Sequence, residues 1–259
     1  MIFTGIFLVS FILHPVLIYG LDFKRIESEH FVISYSPSVE VNYVYKIKEE
    51  AEDFYRLINH EFSLPEERLW MGEKRTKIFI AEDKQAYLAK FKCPNWSGAC
   101  VDYQRKIIYT FPQQERFSSL LLHELTHLIF REYVGENKLP LWVDEGIAVY
   151  MEYKYANPSY VKHILSHMRR VIKDGFYIKF KEIKNVSLDN KEKDYINLFY
   201  QQSFAMIYFL IERFGRDNFF WFLYYLRKGE GLSQALFNAY PLINSEEDFE
   251  KLWKRFYLN

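Results

Sequence analysis

The stretch His123-Glu124-Leu125-Thr126-His127 is the most informative part of this 259-residue chain. An α-helix turns about 100° per residue, so His123 and His127 project from one face a turn apart, where two imidazoles can occupy neighbouring corners of a tetrahedron. Glu124 is displaced around the helix, too far to reach the same ion but close enough to hydrogen-bond a water in an open fourth position. The spacing therefore predicts a Zn²⁺ site with two histidine ligands and Glu124 as its general base.

A third ligand is available eighteen positions after His127, where Glu145 lies within Trp142-Val143-Asp144-Glu145-Gly146. Two neutral nitrogens and one carboxylate leave a net charge near plus one and one open coordination position, so that a bound water approaches a pKa of about 7. We therefore predict Glu145 as the third protein ligand of a catalytic rather than a structural zinc site.

A second histidine pair serves as an internal comparison, because His163 and His167 have the same spacing. No Glu follows His163, and Arg169 and Arg170 would repel a cation nearby, so this pair is interpreted as an ordinary one. The helix of the first pair is instead heavily apolar and predicted to be buried, where an unsatisfied polar group costs about 1 to 3 kcal/mol. Ligation of a metal ion would satisfy the buried ring nitrogens of the first pair.

These residues resemble a known family. His123-Glu124-x-x-His127 followed by Trp142-x-Asp144-Glu145-Gly146-x-Ala148 is similar to the gluzincin branch of the MA-clan metallopeptidases, in which the third zinc ligand is a glutamate on the next helix. The resemblance is sharp from 117 to 150 and extends from about residue 29 to the end. It implies a zinc metallopeptidase, with a peptide or protein as its substrate.

Two flanking segments also resemble the family. Ser97–Cys100, followed by the strand-like Lys106–Phe111, is similar to the substrate-binding edge strand that precedes the zinc helix. Substrate is therefore expected to add as an extended strand beside Lys106–Phe111. Downstream, Tyr200–Ala205, leading into Leu210–Gly215, is similar to the helix that follows the site.

The resemblance also bears on two supporting residues. Because it places the later helix across the cleft, Tyr200 is the predicted hydrogen-bond donor to the developing oxyanion, with Tyr195 and Tyr150 as rivals. In the thermolysin-like branch an aspartate four residues after the ligand glutamate orients the first histidine, but here that position is Val149. Asp144 is therefore the predicted outer residue that supports the metal ligands.

Composition excludes some functions. Lys plus Arg and Asp plus Glu number 34 each, so no global field attracts nucleic acid or an anionic membrane surface. Aromatic residues make up 19% of the chain and indicate either dense core packing or a groove lined by rings.

The N-terminus contains an almost unbroken apolar run over residues 2–19. This length falls between a signal-peptide core and a full membrane span, and Ile18-x-Gly20 is a tolerable cleavage site. No Lys or Arg precedes the run, whereas Lys24 and Arg25 follow it, opposite to the usual export orientation. Residues 1–20 are thus expected to be a signal peptide or an N-terminal membrane anchor. The remainder is expected to be exported, whether periplasmic, extracellular or membrane-anchored and facing away from the cytoplasm.

The two cysteines, Cys93 and Cys100, enclose six residues that include Pro and Gly. In an oxidising compartment such a pair favours a small disulfide-closed loop at the rim of the site, although inert thiols or half of a metal site are the alternatives.

The order of predicted elements indicates an α+β fold. Strands are predicted at 30–35, 77–81 and 106–111, with helices at 39–62 and 83–91. Further helices are predicted at 115–133, 141–155, 158–173, 195–214, 216–228, 232–239 and 245–257. We expect a single domain over 21–259, with an α/β part at about 21–114, a helical part at about 115–259 and the zinc cleft between them.

Three hypotheses about function remain at this point. The first is an exported zinc endo- or exopeptidase. The second is a zinc-stabilised binding or scaffold module that has lost turnover, although such a protein would be expected to have lost Glu124 first. The third is a zinc amide hydrolase with a non-protein substrate, for which the same chemistry would serve.

Overall fold

The computed structural model describes residues 23–65, 70–95, 97–113, 117–135 and 139–259. The predicted signal or anchor over residues 1–20 lies outside these ranges, as do the first two residues of the helix predicted at 115–133. Within the described ranges, no helix is both long and apolar enough to cross a bilayer.

The contacts of the chain cluster into two compact units. One comprises the described residues up to Leu57 together with Pro65–Leu125, and the other comprises Ile58–Leu64 together with Thr126–Asn259.

A five-stranded mixed sheet organises the first unit. Its strands are β1 (Lys24–Glu27), β2 (Phe31–Tyr35), β3 (Thr76–Ile80), β4 (Ala99–Asp102) and β5 (Ile107–Thr110), in the spatial order β1-β2-β3-β5-β4. The inner strands β2, β3 and β5 are parallel, and the outer strands β1 and β4 each pair antiparallel with their neighbour. All four residues of β5 are buried, as expected for an inner parallel strand. The outer strand β1 is mostly exposed, and its charged residues discourage pairing with other chains.

Two helices accompany the sheet, α1 (Val41–Glu61) and α2 (Lys84–Phe91), with a short 3₁₀ turn at Gly72–Lys74. The start of α2 is fixed by Asp83, whose carboxylate accepts a 2.8 Å hydrogen bond from the amide of Ala86. Tyr87 and Phe91 of α2 pack with Tyr109 of β5 in a buried apolar cluster.

Beyond the sheet the described chain is helical. Its helices are α3 (Phe117–Val134), α4 (Leu141–Met151), α5 (Pro158–Lys173), α6 (Phe180–Ile183), α7 (Lys193–Phe214), α8 (Arg216–Arg227), α9 (Leu232–Ala239) and α10 (Glu246–Leu258). The α+β class predicted from the sequence is confirmed, with a small mixed sheet followed by a mostly helical half.

Helix α4 is buried along almost its whole length and packs closely against α7. The closest approach is at Gly146, where an added Cβ would lie 2.6 Å from the carbonyl oxygen of Ser203 and 2.7 Å from Ile207 Cγ1. A side chain cannot fit there without a backbone shift, so the glycine that follows Glu145 is required by packing.

A π-helical turn, Glu152–Ala156, extends α4 and is closed by the i→i+5 hydrogen bond from the amide of Asn157 to the carbonyl of Glu152, at 3.1 Å. Beside it lies Glu61, which is only 3% exposed. Its carboxylate accepts hydrogen bonds from Tyr155 and from Lys154, the latter at 2.8 Å, and pairs with Arg216 at 3.0 Å. The buried charge of Glu61 is thereby balanced.

Some elements were not predicted from the sequence. The strands β1 and β4 are only four residues long; β1 consists mostly of charged residues, and the apolar part of β4 is limited to Ala99–Val101. The prediction that Lys106–Phe111 forms an edge strand is wrong, because β5 lies between β3 and β4. The outermost strand on that side is β4.

Candidate metal centre

Three buried side chains meet where α3 and α4 come together. His123 and His127 project from α3 and Glu145 from α4, and each offers one ligand atom within 4.8 Å of the others. Their exposures are 1%, 1% and 2%, respectively. Within the described residues, no other set of His, Cys, Asp or Glu side chains forms such a group. The structure thus brings together the three residues predicted as ligands.

The local sequence explains this arrangement. The two histidines are separated by one turn of an apolar helix, whose neighbouring Leu122 and Leu125 are fully buried. Helix α4 begins directly after Pro140, and Glu145 follows on its second turn. The Nε2 atom of His127 lies 3.5 Å from Oε2 of Glu145, so the nitrogen and the oxygen face a common point.

Glu124, the predicted base, lies beside His123 on α3 and is fully buried. Burial raises the pKa of the Tyr87 hydroxyl, and the negative charge of Glu124 raises it further. That hydroxyl is 2.7 Å from the hydroxyl of Ser97, which in turn donates to the carbonyl of Pro94. This chain of hydroxyls, which the sequence did not suggest, links the surroundings of Glu124 to the loop between the two cysteines.

Asp144 contacts the second histidine of this group. Its Oδ1 lies 2.8 Å from Nδ1 of His127, and its Oδ2 accepts hydrogen bonds from Nε and Nη2 of Arg131 at 2.8 and 2.5 Å. The sequence predicted an outer role for Asp144 but did not point to Arg131. The available signal was spacing, because Arg131 lies one helical turn after His127.

The protonation of this group follows from its charges. Burial alone would lower the pKa of His127, but Asp144 and Glu145 outweigh that effect and raise it to about 10. Burial disfavours the ionised form of Asp144, yet His127 and Arg131 lower its pKa to about 2. A metal ion that binds to His127 therefore competes with a proton that the two carboxylates favour.

The three candidate tyrosines have different surroundings. Tyr200 lies on α7, three residues before the Ser203 whose carbonyl oxygen approaches Gly146, and its hydroxyl oxygen is buried. Tyr150 is engaged elsewhere, because its hydroxyl accepts a 2.7 Å hydrogen bond from Lys154 and lies 3.4 Å from Glu61. Tyr195 is partly exposed and lies under the ammonium group of Lys191. The assignment of Tyr200 as the donor to the oxyanion stays a prediction.

The comparison pair on α5 has a different environment. His163 is exposed, and Nδ1 of His167 lies 2.5 Å from Oε1 of Gln201. The pair belongs to no metal-binding group among the described residues.

Cys93 and Cys100 form a disulfide, as predicted, with their Cα atoms 6.0 Å apart. The bond ties the chain after α2 to the outermost strand β4, and the loop between them carries Ser97. The disulfide therefore anchors β4, the edge strand next to β5.

Replacing both cysteines by Ser is expected to lower the free energy of unfolding by about 2 to 3 kcal/mol, because a short closed loop restricts the unfolded chain. Urea unfolding of the oxidised parent and of the double variant measures the difference. Protein isolated from its native compartment should react with no thiol reagent until a reductant is added. Two reactive thiols before reduction would contradict an oxidised pair.

Comparison with known proteins gives a family match. Residues 73–259 match the family model described as the Peptidase MA superfamily. A search of curated proteins finds no match.

Among solved structures, the yeast LTA4 hydrolase in complex with bestatin is similar, with a TM-score of 0.56 and 15% identity over 92% of this chain and 39% of that one. The native yeast LTA4 hydrolase gives a TM-score of 0.54 and 16% identity, over 90% of this chain and 38% of that one. A native leukotriene A4 hydrolase from Saccharomyces cerevisiae gives 0.54 and 14%, over 88% and 37%. The chain thus spans about two fifths of the length of these proteins, and the likeness establishes the fold.

Proposed function

The chain belongs to the peptidase MA superfamily, and on that premise we propose that it is a zinc metallopeptidase that hydrolyses peptide bonds. The observation that carries the proposal is the buried group of His123, His127 and Glu145, with Glu124 buried beside it.

The donor set fits zinc. Two imidazoles and one carboxylate are ligands that zinc prefers, and three protein ligands are typical of catalytic sites. Burying the carboxylates of Glu124 and Glu145 close together calls for a compensating cation besides Arg131, which pairs with Asp144. When bound, zinc would act as a Lewis acid towards a carbonyl oxygen and would make a water molecule more acidic.

Glu124 would move the proton. Its position on α3 beside a ligand histidine suits a carboxylate that takes a proton from the attacking water and returns it to the leaving amine. Full burial keeps bulk water from competing for the carboxylate.

Substrate would bind along β4 rather than β5. An extended peptide can add to a sheet only where a strand has an open edge, and on the β5 side of this sheet the edge strand is β4. The disulfide through Cys100 would hold this strand in place against the substrate.

Tyr200 would stabilise the negative charge that develops on the carbonyl oxygen. Replacing Tyr200 by Phe removes only its hydroxyl and is expected to lower kcat and kcat/KM together by about 10²- to 10³-fold, with zinc content unchanged. Steady-state kinetics on a fluorogenic peptide measures this effect. The matched control is Tyr195→Phe, on the same helix, which should leave kcat near the parent value. An effect of Tyr200→Phe on KM alone, or on melting temperature alone, would refute the assignment.

We further propose that the enzyme works outside the cytoplasm. The Cys93–Cys100 disulfide supports an oxidising compartment, and the apolar run at residues 2–19 suits export or membrane anchoring.

The function is tested by digesting a random peptide library with purified protein, with and without a chelator, and sequencing the products. We expect cleavage that the chelator abolishes and added zinc restores, and the products also give the subsite preference. A zinc-loaded protein that cleaves no peptide would contradict the proposal. It would favour the amide hydrolase or the binding module instead.

A further inference from the structure

Arg131 contacts Asp144, which in turn contacts His127 of the metal centre. Its guanidinium donates two hydrogen bonds to Oδ2 of Asp144, from Nε at 2.8 Å and Nη2 at 2.5 Å. The other oxygen of Asp144 lies 2.8 Å from Nδ1 of His127. The side chain of Arg131 is 19% exposed, whereas those of Asp144 and His127 are 4% and 0% exposed. The arginine therefore reaches inward from the edge of the buried group.

The two carboxylate oxygens of Asp144 have different partners. Because Arg131 occupies Oδ2, Oδ1 is left for the histidine, and the planar fork restricts rotation of the carboxylate. A lysine at this position would supply a charge without the fork. The orientation of the carboxylate in turn determines which nitrogen of His127 is turned away from it. That nitrogen, Nε2, is the atom that faces Glu145.

The balance of charge at the metal centre also involves Arg131. Glu124, Asp144 and Glu145 bring three buried carboxyl groups to one place. With a divalent ion and three carboxylates the sum is minus one, and Arg131 brings it to zero. Buried charges are tolerated when they are paired, so Arg131 makes a carboxylate, rather than a neutral amide, acceptable behind His127.

We propose that Arg131 is a positioning residue of the metal centre. By holding Asp144 it fixes the His127 imidazole, with Nδ1 donating to the carboxylate and Nε2 directed at the ion, and so increases the affinity of the chain for zinc. The inference rests on the proposed function only in taking zinc as the ion, and it does not depend on peptide hydrolysis. The competing explanation is that Arg131 merely ties α3 to α4.

The test is a double-mutant cycle on the full chain. Zinc dissociation constants are measured by competition with a chromophoric chelator for the parent, Arg131→Gln, Asp144→Asn and the double variant. Removing a partner behind a ligand histidine is expected to weaken zinc binding by about 10- to 100-fold. In the Asp144→Asn background, Arg131→Gln should change the constant by no more than about twofold, because its effect passes through Asp144.

Arg216→Gln is the matched control. It also removes an arginine from a buried carboxylate, that of Glu61, and it should lower stability without changing zinc affinity. Arg131→Lys, which keeps the charge but not the fork, should bind zinc with intermediate affinity. If Arg131→Gln does not fold, Arg131→Lys supplies the comparison with the parent.

Two results would overturn the inference. One is unchanged zinc affinity in the Arg131 variants together with lower stability, which would make Arg131 a tie between helices. The other is that Arg131→Gln weakens zinc binding as much in the Asp144→Asn background as it does in the parent. Weaker zinc binding in Arg131→Gln, with a parent that cleaves no peptide, would support the inference and contradict the proposed function. Peptide cleavage by the parent, with unchanged zinc affinity in Arg131→Gln, would do the reverse.

Discussion

Glu124→Gln is expected to retain zinc and to lower kcat by about 10²- to 10⁴-fold, because only proton transfer is removed. The amide has nearly the size and shape of the carboxylate, so the packing of α3 around this fully buried position is preserved. What the amide lacks is the ability to accept a proton from water. Zinc content by mass spectrometry and kcat on a peptide substrate together measure the two halves of the prediction.

Glu132→Gln, on the same helix, is the matched control for Glu124→Gln. It makes the same chemical change outside the metal group and should leave kcat near the parent value. Hydrolysis by Glu124→Gln at the parent rate would mean that another group acts as the base. Loss of zinc from this variant would instead place Glu124 among the ligands.

Removing any one ligand should abolish metal binding at ordinary zinc concentrations. The parent is expected to hold about one zinc per chain, and Ala at His123, His127 or Glu145 to reduce that content to near zero. The loss of affinity should exceed the roughly 10- to 100-fold expected for an outer contact, because a direct donor is lost from a set of three. Activity should disappear in all three variants.

The second histidine pair provides the control for these ligand variants. His163→Ala and His167→Ala alter a pair with identical spacing on α5, and neither belongs to the described metal group. Both variants should retain one zinc per chain. Full zinc occupancy in the variants of His123, His127 and Glu145 would contradict the ligand assignment.

The metal group was predictable because its geometry is mostly local. One helical turn brings His123 and His127 to the same face, and helix periodicity requires no knowledge of the rest of the fold. Glu145 could be predicted only through the motif that follows, because its approach depends on how α4 packs. The reason for Gly146 became apparent only with α7 in place, since the contact is with Ser203.

Non-local pairing accounts for the errors. The order of strands in a sheet is decided by contacts between distant segments. The sequence therefore did not reveal that β4 pairs with β5 on the side away from β3. The histidine that Asp144 contacts was also not predictable from the sequence. The family pattern suggested support for the first histidine, whereas the structure has Asp144 against His127. Arg131 was missed because an arginine on a helix usually lies in solvent, whereas this one reaches the buried carboxylate of Asp144.

The π-helical turn after α4 has a consequence for evolutionary comparison. An i→i+5 hydrogen bond encloses one residue more than an α-helical bond does, so Glu152–Ala156 stores an extra residue inside the helix rather than in a loop. Tyr155, which binds Glu61 together with Lys154, helps to retain it. When homologous chains without this turn are aligned with this one, the single-residue gap therefore belongs within 152–156. A gap placed at Asn157 would misalign the residues between it and the true insertion, and Tyr155 and Ala156 could then be paired with the wrong positions.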